Sequence, residues 1–365
     1  MAEQHQDQED GSASVIRIGT RRSALALKQV ELVIADLQKT HPNARFEVCA
    51  MATLGDRDKV TALPEMGKGI WTSELEAQLV NREVDFIVHC LKDMPTSLPA
   101  GCVLGCVTKR EDPRDVVIFS KHHGSKYAKL ADLPDGSVVG TSSVRRAAQL
   151  RRHYPGLVFK DVRGNIDTRV KHVDNYDEKG YDCIILAAAG LLRMDFGDRI
   201  AQYLDTSTEG GGMLHAVGQG ALGLEVRENN ERMLGMLKAV EDTPTMMACF
   251  AERSIMRALE GGCSVPIGVE TSWVFEGRDE DEEEEQSSKK KLRVRATVVS
   301  LDGKTAVDGE KTEEVASLAQ ADSLGKKLAQ DLVERGAQKI LDAINKGRDS
   351  GAAVKISDAN PSSTV

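Results

Sequence analysis

The chain has no C-x-x-C pair, although it carries cysteines at positions 49, 90, 102, 106, 183, 249 and 263. An odd number without that spacing points to neither a disulfide framework nor a structural zinc site, and no metal is expected. Cys102 and Cys106 stand four apart with no second ligand pair, so they read as core thiols. Apolar runs of membrane-spanning length are missing too. Met1 to Ser14 is polar and acidic, with no apolar h-region and no Arg-rich amphipathic stretch, which predicts a cytoplasmic protein with no membrane partner. Positive charge is in the minority, at a formal net charge of -9, and this argues against a nucleic-acid partner. There is no Walker A pattern and no G-x-G-x-x-G after a strand, and Gly218-Gln219-Gly220 is too short to count as either, so nucleotide binding is not favoured.

What remains is an ordinary globular composition, 41% hydrophobic and 29% charged, in 365 residues, enough for two or three domains. Val15 to Ile18 predicts a strand running into Gly19-Thr20-Arg21-Arg22-Ser23. Ser23 is placed to cap a helix that carries Ala26, Val30, Val33 and Leu37 at helical spacing. Phe46 to Thr53 reads as a strand, Ser73 and Glu76 as the capping box of a helix through Leu79, and Phe86 to His89 as a buried strand ending at Lys92-Asp93. Val138-Val139-Gly140 leads through Thr141-Ser142-Ser143 into a helix ending at Arg152, and Cys183 to Leu186 is another buried strand. Strands alternating with helices predict an α/β fold with largely parallel sheets. Beyond Pro266 the pattern changes. Leu292 to Leu301 alternates like an antiparallel strand and Leu324 to Ile344 has a helical period, which predicts a smaller α+β C-terminal domain. Asp279 to Glu285, all acidic, is read as a solvated insertion in a hairpin loop, with a protein-docking segment as the competing reading.

Arginines gather where these short strands end: Arg21 and Arg22, Arg145 and Arg146, Arg163 and Arg169 on either side of Gly164-Asn165-Ile166-Asp167-Thr168, and Arg193. In open α/β sheets ligands bind at the carboxyl ends of the strands, helix N-termini there favour anions, and arginine recognises carboxylates with two parallel bonds. A single arginine is more often a solvated surface residue. Several at strand ends in an acidic protein fit a pocket for a ligand with many carboxylates, and a phosphate ligand fits almost as well. Asp93 follows a buried strand, where it could stabilise a developing cation or shuttle a proton. The bland alternative is a cap for the loop before Pro95. His89 reads as a hydrogen-bonded core histidine. In Glu260-Gly261-Gly262-Cys263-Ser264-Val265-Pro266, a thiol stands on a bend that two glycines permit and a proline enforces. Read alone, a free cysteine is a small buried hydrophobe.

Taken together, Arg17 to Arg21, His89 to Thr96, Val139 to Arg146, Val162 to Asn165, Ala216 to Ala221 and Glu260 to Pro266 resemble the porphobilinogen deaminase (hydroxymethylbilane synthase) family, in that family's order over roughly residues 15–270. The resemblance implies two periplasmic-binding-protein-like α/β domains and a smaller α+β C-terminal domain. The first would take residues 14–110 with 217–238, the second 114–214 and the third 243–346. Tails at 1–13 and 347–365 and an insertion at 277–291 would be disordered. It implies a transferase that condenses four porphobilinogen molecules head to tail, with loss of ammonia, into hydroxymethylbilane. The primer would be a dipyrromethane cofactor held by a thioether to Cys263, and the enzyme would be a monomer.

In that frame Asp93 and Lys92 are catalytic. Asp93 would stabilise the azafulvenium-like cation left when ammonia departs. Cys263, Lys92, Thr141, Ser142, Ser143, Arg145, Arg146, Arg163 and Gly164 would hold the cofactor, and Arg21, Arg22, Ser23, Lys68, Trp71, Arg169, Arg193 and Gln219 the substrate. The sequence departs from the family pattern in a loop Leu63 to Lys68 that is one residue shorter, at Glu65, where a basic residue is common, and at Cys90, where serine is usual. The competing class is a non-catalytic two-lobed solute-binding protein for a polycarboxylate, which gives Cys263 no role. A regulator's ligand-binding domain would need a helix-turn-helix, and none is evident.

Overall fold

The first strand, β1 (Ile16–Arg21), gives way to a bend at Arg22, and Ser23 Oγ accepts the Ala26 N–H at 3.3 Å to start α1 (Ala24–Thr40). The apolar stripe Ala26, Val30, Val33 and Leu37 is buried, as its spacing predicts. The computed structural model describes residues 15–54, 69, 71–206, 212–259, 265–275 and 290–349. Next come β2 (Phe46–Met51), α2 (Ser73–Val80), β3 (Phe86–Cys90) and β4 (Cys102–Val107). Helix α2 differs from expectation. Thr72 occupies the cap position with no side-chain cap bond, Ser73 is already helical, and Glu76 turns inward and is buried. Burial raises the Glu76 pKa, and the nearby Glu225 adds to this. A residue expected to serve the helix end is claimed by the core instead.

After residues 108–114 the chain enters a second lobe: β5 (Asp115–Phe119), β6 (Val138–Gly140), α3 (Val144–His153), β7 (Val158–Lys160), α4 (Ile166–Asp174), α5 (Tyr176–Lys179), β8 (Cys183–Ala187), α6 (Ala188–Arg193) and β9 (Gln202–Leu204). It then returns to the first lobe as β10 (Leu222–Arg227) and α7 (Glu231–Leu237). The two five-stranded sheets have matching order, β2-β1-β3-β10-β4 and β7-β6-β8-β5-β9. The expectation of largely parallel sheets needs correcting, because β10 and β5 run antiparallel to both neighbours. Each is the strand that follows a crossing between lobes. The chain leaves one sheet at its carboxyl rim and meets the other at the facing rim, so it must run back against the strands already there. The carboxyl ends of β1, β3, β6 and β8 therefore all face the cleft between the lobes, which is the two-lobed α/β architecture expected.

The third unit follows: α8 (Thr243–Ala258), β11 (Ile267–Phe275), β12 (Lys290–Val299), β13 (Ala306–Glu314), α9 (Leu318–Glu334) and α10 (Ala337–Asp349). Its antiparallel sheet buries Leu292, Val294, Ala296 and Val298 against Leu324, Leu328 and Leu332. At Gly325 an added Cβ would lie 2.3 Å from the Ala251 carbonyl oxygen, so glycine sets how closely α9 crosses α8. The single helical period read over Leu324 to Ile344 is two helices, broken at Gly336 with φ +103. Lys290 and Lys291, read as part of the insertion, belong to β12. Lys290 pairs with Phe275 and lies 4.6 Å over the Trp273 ring, a cation–π contact that favours strand over loop. The acidic run 279–285 lies outside the described residues. Helix α10 runs to Asp349, past the expected end at 346. Among the described residues no helix is long and apolar enough to cross a membrane. Cys102 and Cys106 are buried, and burial pushes their thiols up to about 11 and about 12, as core cysteines require.

One buried carboxylate ties the crossings to the third unit. Arg110, in the outgoing segment, donates to Glu252 Oε1 and Oε2 at 2.6 and 3.0 Å. The Gly218 N–H of the return segment donates to Glu252 Oε2 at 2.8 Å, and the Thr271 hydroxyl of β11 to Oε1 at 2.7 Å. Burial alone would raise the Glu252 pKa, but Arg110, His215 and these hydrogen bonds hold it at about 2. Breaking such a buried pair costs about 3–5 kcal/mol, so Glu252→Gln should lower the urea midpoint at neutral pH markedly. The charge term has a definite sign. A pKa depressed on folding from 4.5 stabilises in full above that value and is lost as pH falls through about 2. The gap between wild type and Glu252→Gln should therefore narrow between about pH 5 and about pH 2. Urea unfolding across that range checks it, and a gap independent of pH would show that the ionised carboxylate is not the source.

Candidate active site

Strand β3 is apolar and, up to His89, fully buried, and its role is to deliver the turn beyond it to the rim. His89 is a core histidine as expected, with Nε2 2.8 Å from Glu225 Oε2. Past Cys90, the single 3-10 turn Leu91–Asp93 is anchored by buried Leu91, whose N–H donates to the Ala221 carbonyl at 3.0 Å. That anchor leaves Lys92 and Asp93 half-buried at the rim. Asp93 Oδ2 lies 3.9 Å from Arg21 Nη1 at the end of β1, and the Arg21 guanidinium stacks 4.1 Å over the Trp71 ring. Burial pushes the Lys92 amine down from its usual value. Asp93 opposes the shift, and the like charge of Arg146 in the other lobe adds to it.

On the facing rim, Thr141, Ser142 and Ser143 make the turn from β6 into α3. The Thr141 hydroxyl accepts the Ser143 N–H at 3.2 Å, Ser142 Oγ exchanges hydrogen bonds with the Val162 backbone, and Ser143 Oγ accepts the Arg146 N–H at 3.4 Å as helix cap. Arg145 and Arg146, in the first turn, both reach back to Asp115 at the start of β5, each at 2.7 Å. Arg145 Nη1 also donates to the Leu214 carbonyl and Arg146 Nη1 to the Ile185 carbonyl, each from the guanidinium that holds Asp115. Gln219, on the return crossing, donates Nε2 to Asp115 Oδ1 at 3.0 Å and to the Pro113 carbonyl at 2.7 Å. Burial would raise the Asp115 pKa, but the two guanidiniums and these hydrogen bonds hold it well below the usual carboxylate range. Arg146 is itself pushed down by burial and by Arg145 beside it, with Asp115 opposing.

Further along the same rim, Gly164 has φ +107, a conformation that disfavours any side chain, and its carbonyl accepts Arg169 Nε at 2.7 Å. Arg169 is driven down to about 10, first by burial and then by Arg146, with Arg163 adding and Asp93 opposing. Arg193, after β8, donates to the Gly220 carbonyl at 2.8 Å. The structure thus brings Arg21, Lys92 and Asp93 of the first lobe against Arg146, Arg163 and Arg169 of the second, close enough for their charges to act on one another. Arg193 and Gln219 sit on the crossing at the back. Ser23 is occupied as the α1 cap, and Arg22 is exposed, its N–H bonded to the Met51 carbonyl. Lys68 and Cys263 lie outside the described residues.

Sequence reasoning missed the groups that stand behind this rim: Asp115, Arg110, Glu252 and Arg253. The run Arg110-Glu111-Asp112-Pro113-Arg114-Asp115 was the available signal, since so many charges directly before a wholly apolar strand need internal partners. Chemically, the cleft offers guanidinium and hydroxyl donors in excess and one half-buried carboxylate among them, and behind it Gln219 Oε1 is buried with no partner among the described residues. Such a set binds several carboxylates and leaves an acceptor and an ionisable group for N–H chemistry.

Residues 16–235 match the family profile described as "Porphobilinogen deaminase, dipyromethane cofactor binding domain", and residues 246–334 match "Porphobilinogen deaminase, C-terminal domain". A curated porphobilinogen deaminase of Neurospora crassa is 62% identical over 94% of this chain and 98% of its own length. Relatives of the same name from Yarrowia lipolytica and a Synechococcus strain are each 48% identical over 90% of this chain, covering 93% and 96% of their own lengths. With both profiles matched in order and the charged rims of the two lobes meeting across one cleft, the chain belongs to the porphobilinogen deaminase family.

Proposed function

We propose that this chain condenses porphobilinogen units head to tail with loss of ammonia, four of them giving hydroxymethylbilane, with Asp93 as the group that acts on the reacting pyrroles. The enzyme is a transferase of tetrapyrrole biosynthesis and its cofactor is a dipyrromethane. The residues suit that group. Each pyrrole carries acetate and propionate side chains, which the arginines and hydroxyls of the cleft would take, and Gln219 Oε1, without a partner among the described residues, would accept from a pyrrole N–H. Lys92, Thr141, Ser142, Ser143, Arg145, Arg146, Arg163 and Gly164 would hold the cofactor, with Cys263 as its covalent anchor. When bound, the dipyrromethane supplies the nucleophilic pyrrole carbon to which the first substrate unit is joined.

The observation that carries the reading is the position of Asp93. It is half-buried on a rigid turn, faced by Arg21 at 3.9 Å and within electrostatic reach of Lys92 and Arg169. A carboxylate held there would stabilise positive charge growing on the substrate as ammonia leaves. Arg21, Arg22, Ser23, Lys68, Trp71, Arg169, Arg193 and Gln219 would receive the carboxylates and ring of the incoming unit. The non-catalytic polycarboxylate binder loses ground, because it leaves the third unit and Cys263 without a role.

We further propose division at the crossings, with 14–110 and 217–238, 114–214 and 243–346 as units, supported by an apolar cluster centred in each. We propose a monomer, and the net charge of -9 speaks against a nucleic-acid partner. The described cysteines are free thiols, which suits a reducing compartment such as the cytoplasm.

Intact mass tests the anchor. Wild-type protein should carry a surplus of two pyrrole units, and Cys263→Ser should lack both that surplus and activity. Loss of the surplus in Cys249→Ser with retention in Cys263→Ser would move the anchor to the buried Cys249. Removing a preorganised charge of this kind typically costs about 10²–10³ in kcat, so Asp93→Asn should keep its cofactor and release ammonia slowly by that factor, with Asp93→Glu in between. Single-turnover ammonia release from purified holoenzyme measures it, and near-normal release by the Asn variant would leave Asp93 as a loop cap.

A further inference from the structure

Helix α8 belongs to the third unit, yet one of its faces follows the turn that carries Asp93. Met246 and Cys249 are buried in one cluster with Leu91 and Met94, with Phe250 packed against it. One turn further, Arg253 Nη1 and Nη2 donate to the carbonyl oxygens of Met94 and Pro95 at 3.2 and 2.5 Å. Another turn on, Arg257 Nη1 reaches the Thr96 carbonyl at 3.4 Å while its Nη2 is held by Asp322 at 2.6 Å. Positions 246, 249, 250, 253 and 257 form one stripe of a helix, and they meet residues 91 to 96 in order.

Arg253 stands out within the stripe. It is 4% exposed, and among the described residues its partners are these two carbonyls and no carboxylate. Burial, with Arg257 adding, pushes its pKa down to about 10. Glu225 is within electrostatic reach and opposes that shift, but a buried guanidinium whose hydrogen bonds go to carbonyls is still costly. A methionine or leucine would fill the space without that cost, but it could not fix two successive carbonyls with a planar fork. The same helix ends at Ala258, five residues before Cys263.

We propose that Arg253, aided by Arg257, is a positioning residue: it fixes the main chain just after Asp93 to helix α8 of the third unit, and so holds the reacting carboxylate in place. The inference rests on the assignment of Asp93 made above and adds the device that positions it. Its action runs through Asp93 and not through ligand binding, so its loss should slow turnover while cofactor content and KM stay as they are.

The test uses holoenzyme of Arg253→Lys, which keeps charge and bulk but cannot make the paired bonds, alone and combined with Asp93→Asn. A displacement of about 1 Å at a reacting group can cost about 10²-fold, so Arg253→Lys should lose about ten- to a hundredfold in kcat. Cofactor mass and KM should be unchanged, and the loss should shrink to under about twofold in the Asp93→Asn background, as coupled sites require. Full activity in Arg253→Lys overturns the proposal, and so does an equal loss with and without the Asp93 carboxylate. Should Arg253→Lys fail to fold or to load cofactor, Arg257→Gln read through the same cycle decides, with additivity counting against the proposal. Near-normal turnover in Asp93→Asn alone would instead remove the assignment beneath it, an outcome visible before Arg253 is touched.

Discussion

Asp115 is the constraint on which the cleft depends. Its wholly buried carboxylate accepts from Arg145, Arg146 and Gln219 and carries the first hydrogen-bonded position of β5. Crowding cations into one cleft is costly unless some of their repulsion is met from behind. Asp115 does this on the side away from the opening, so the positive charge that is left uncompensated faces the first lobe. It also fixes which way the two guanidinium planes lie, together with the Leu214 and Ile185 carbonyls. The arginines nearest the crossing are thus held at several points, whereas Arg169 is held by one bond to the Gly164 carbonyl.

The same solution appears at the second junction. Glu252 gathers Arg110, the Gly218 N–H and Thr271 around one carboxylate, and joins both crossings to the third unit. Two acidic side chains, neither of them at the reacting centre, thus hold three sheets in register. Their cost is desolvation, and their return is alignment rather than net stability, since an apolar replacement of similar shape is often as stable.

Much of this was legible in the sequence, and the limits have physical reasons. The strands ending at Arg21, Cys90, Gly140 and Ala187 were readable because each is a short apolar run closed by a turn. The rim residues followed from the rule that α/β sheets bind at those ends. The Ser23 cap and the His89 core role were read correctly from local chemistry. The reversal of β5 and β10 was not readable, because strand direction depends on where the chain re-enters a sheet and leaves no mark on periodicity. Glu76 was misread for a related reason. A local capping pattern is identical whether the side chain turns back to the helix end or inward to the core, and tertiary packing decides. The partners of Asp115 and Glu252 were not readable, because an acid in sequence does not show which arginines, 30 or 142 residues away, will reach it.

The double crossing has a mechanical consequence. Two links leave neighbouring points and are bolted to one carboxylate, so they resist separation and permit rocking about the line through them. Displacement in such a joint grows with distance from its axis. Asp115, directly after the outgoing link and bonded to Gln219 on the return link, sits close to that axis. An enzyme that lengthens its product one ring at a time has a use for such a joint, which would let the rims shift against each other while the crossing keeps its bonds.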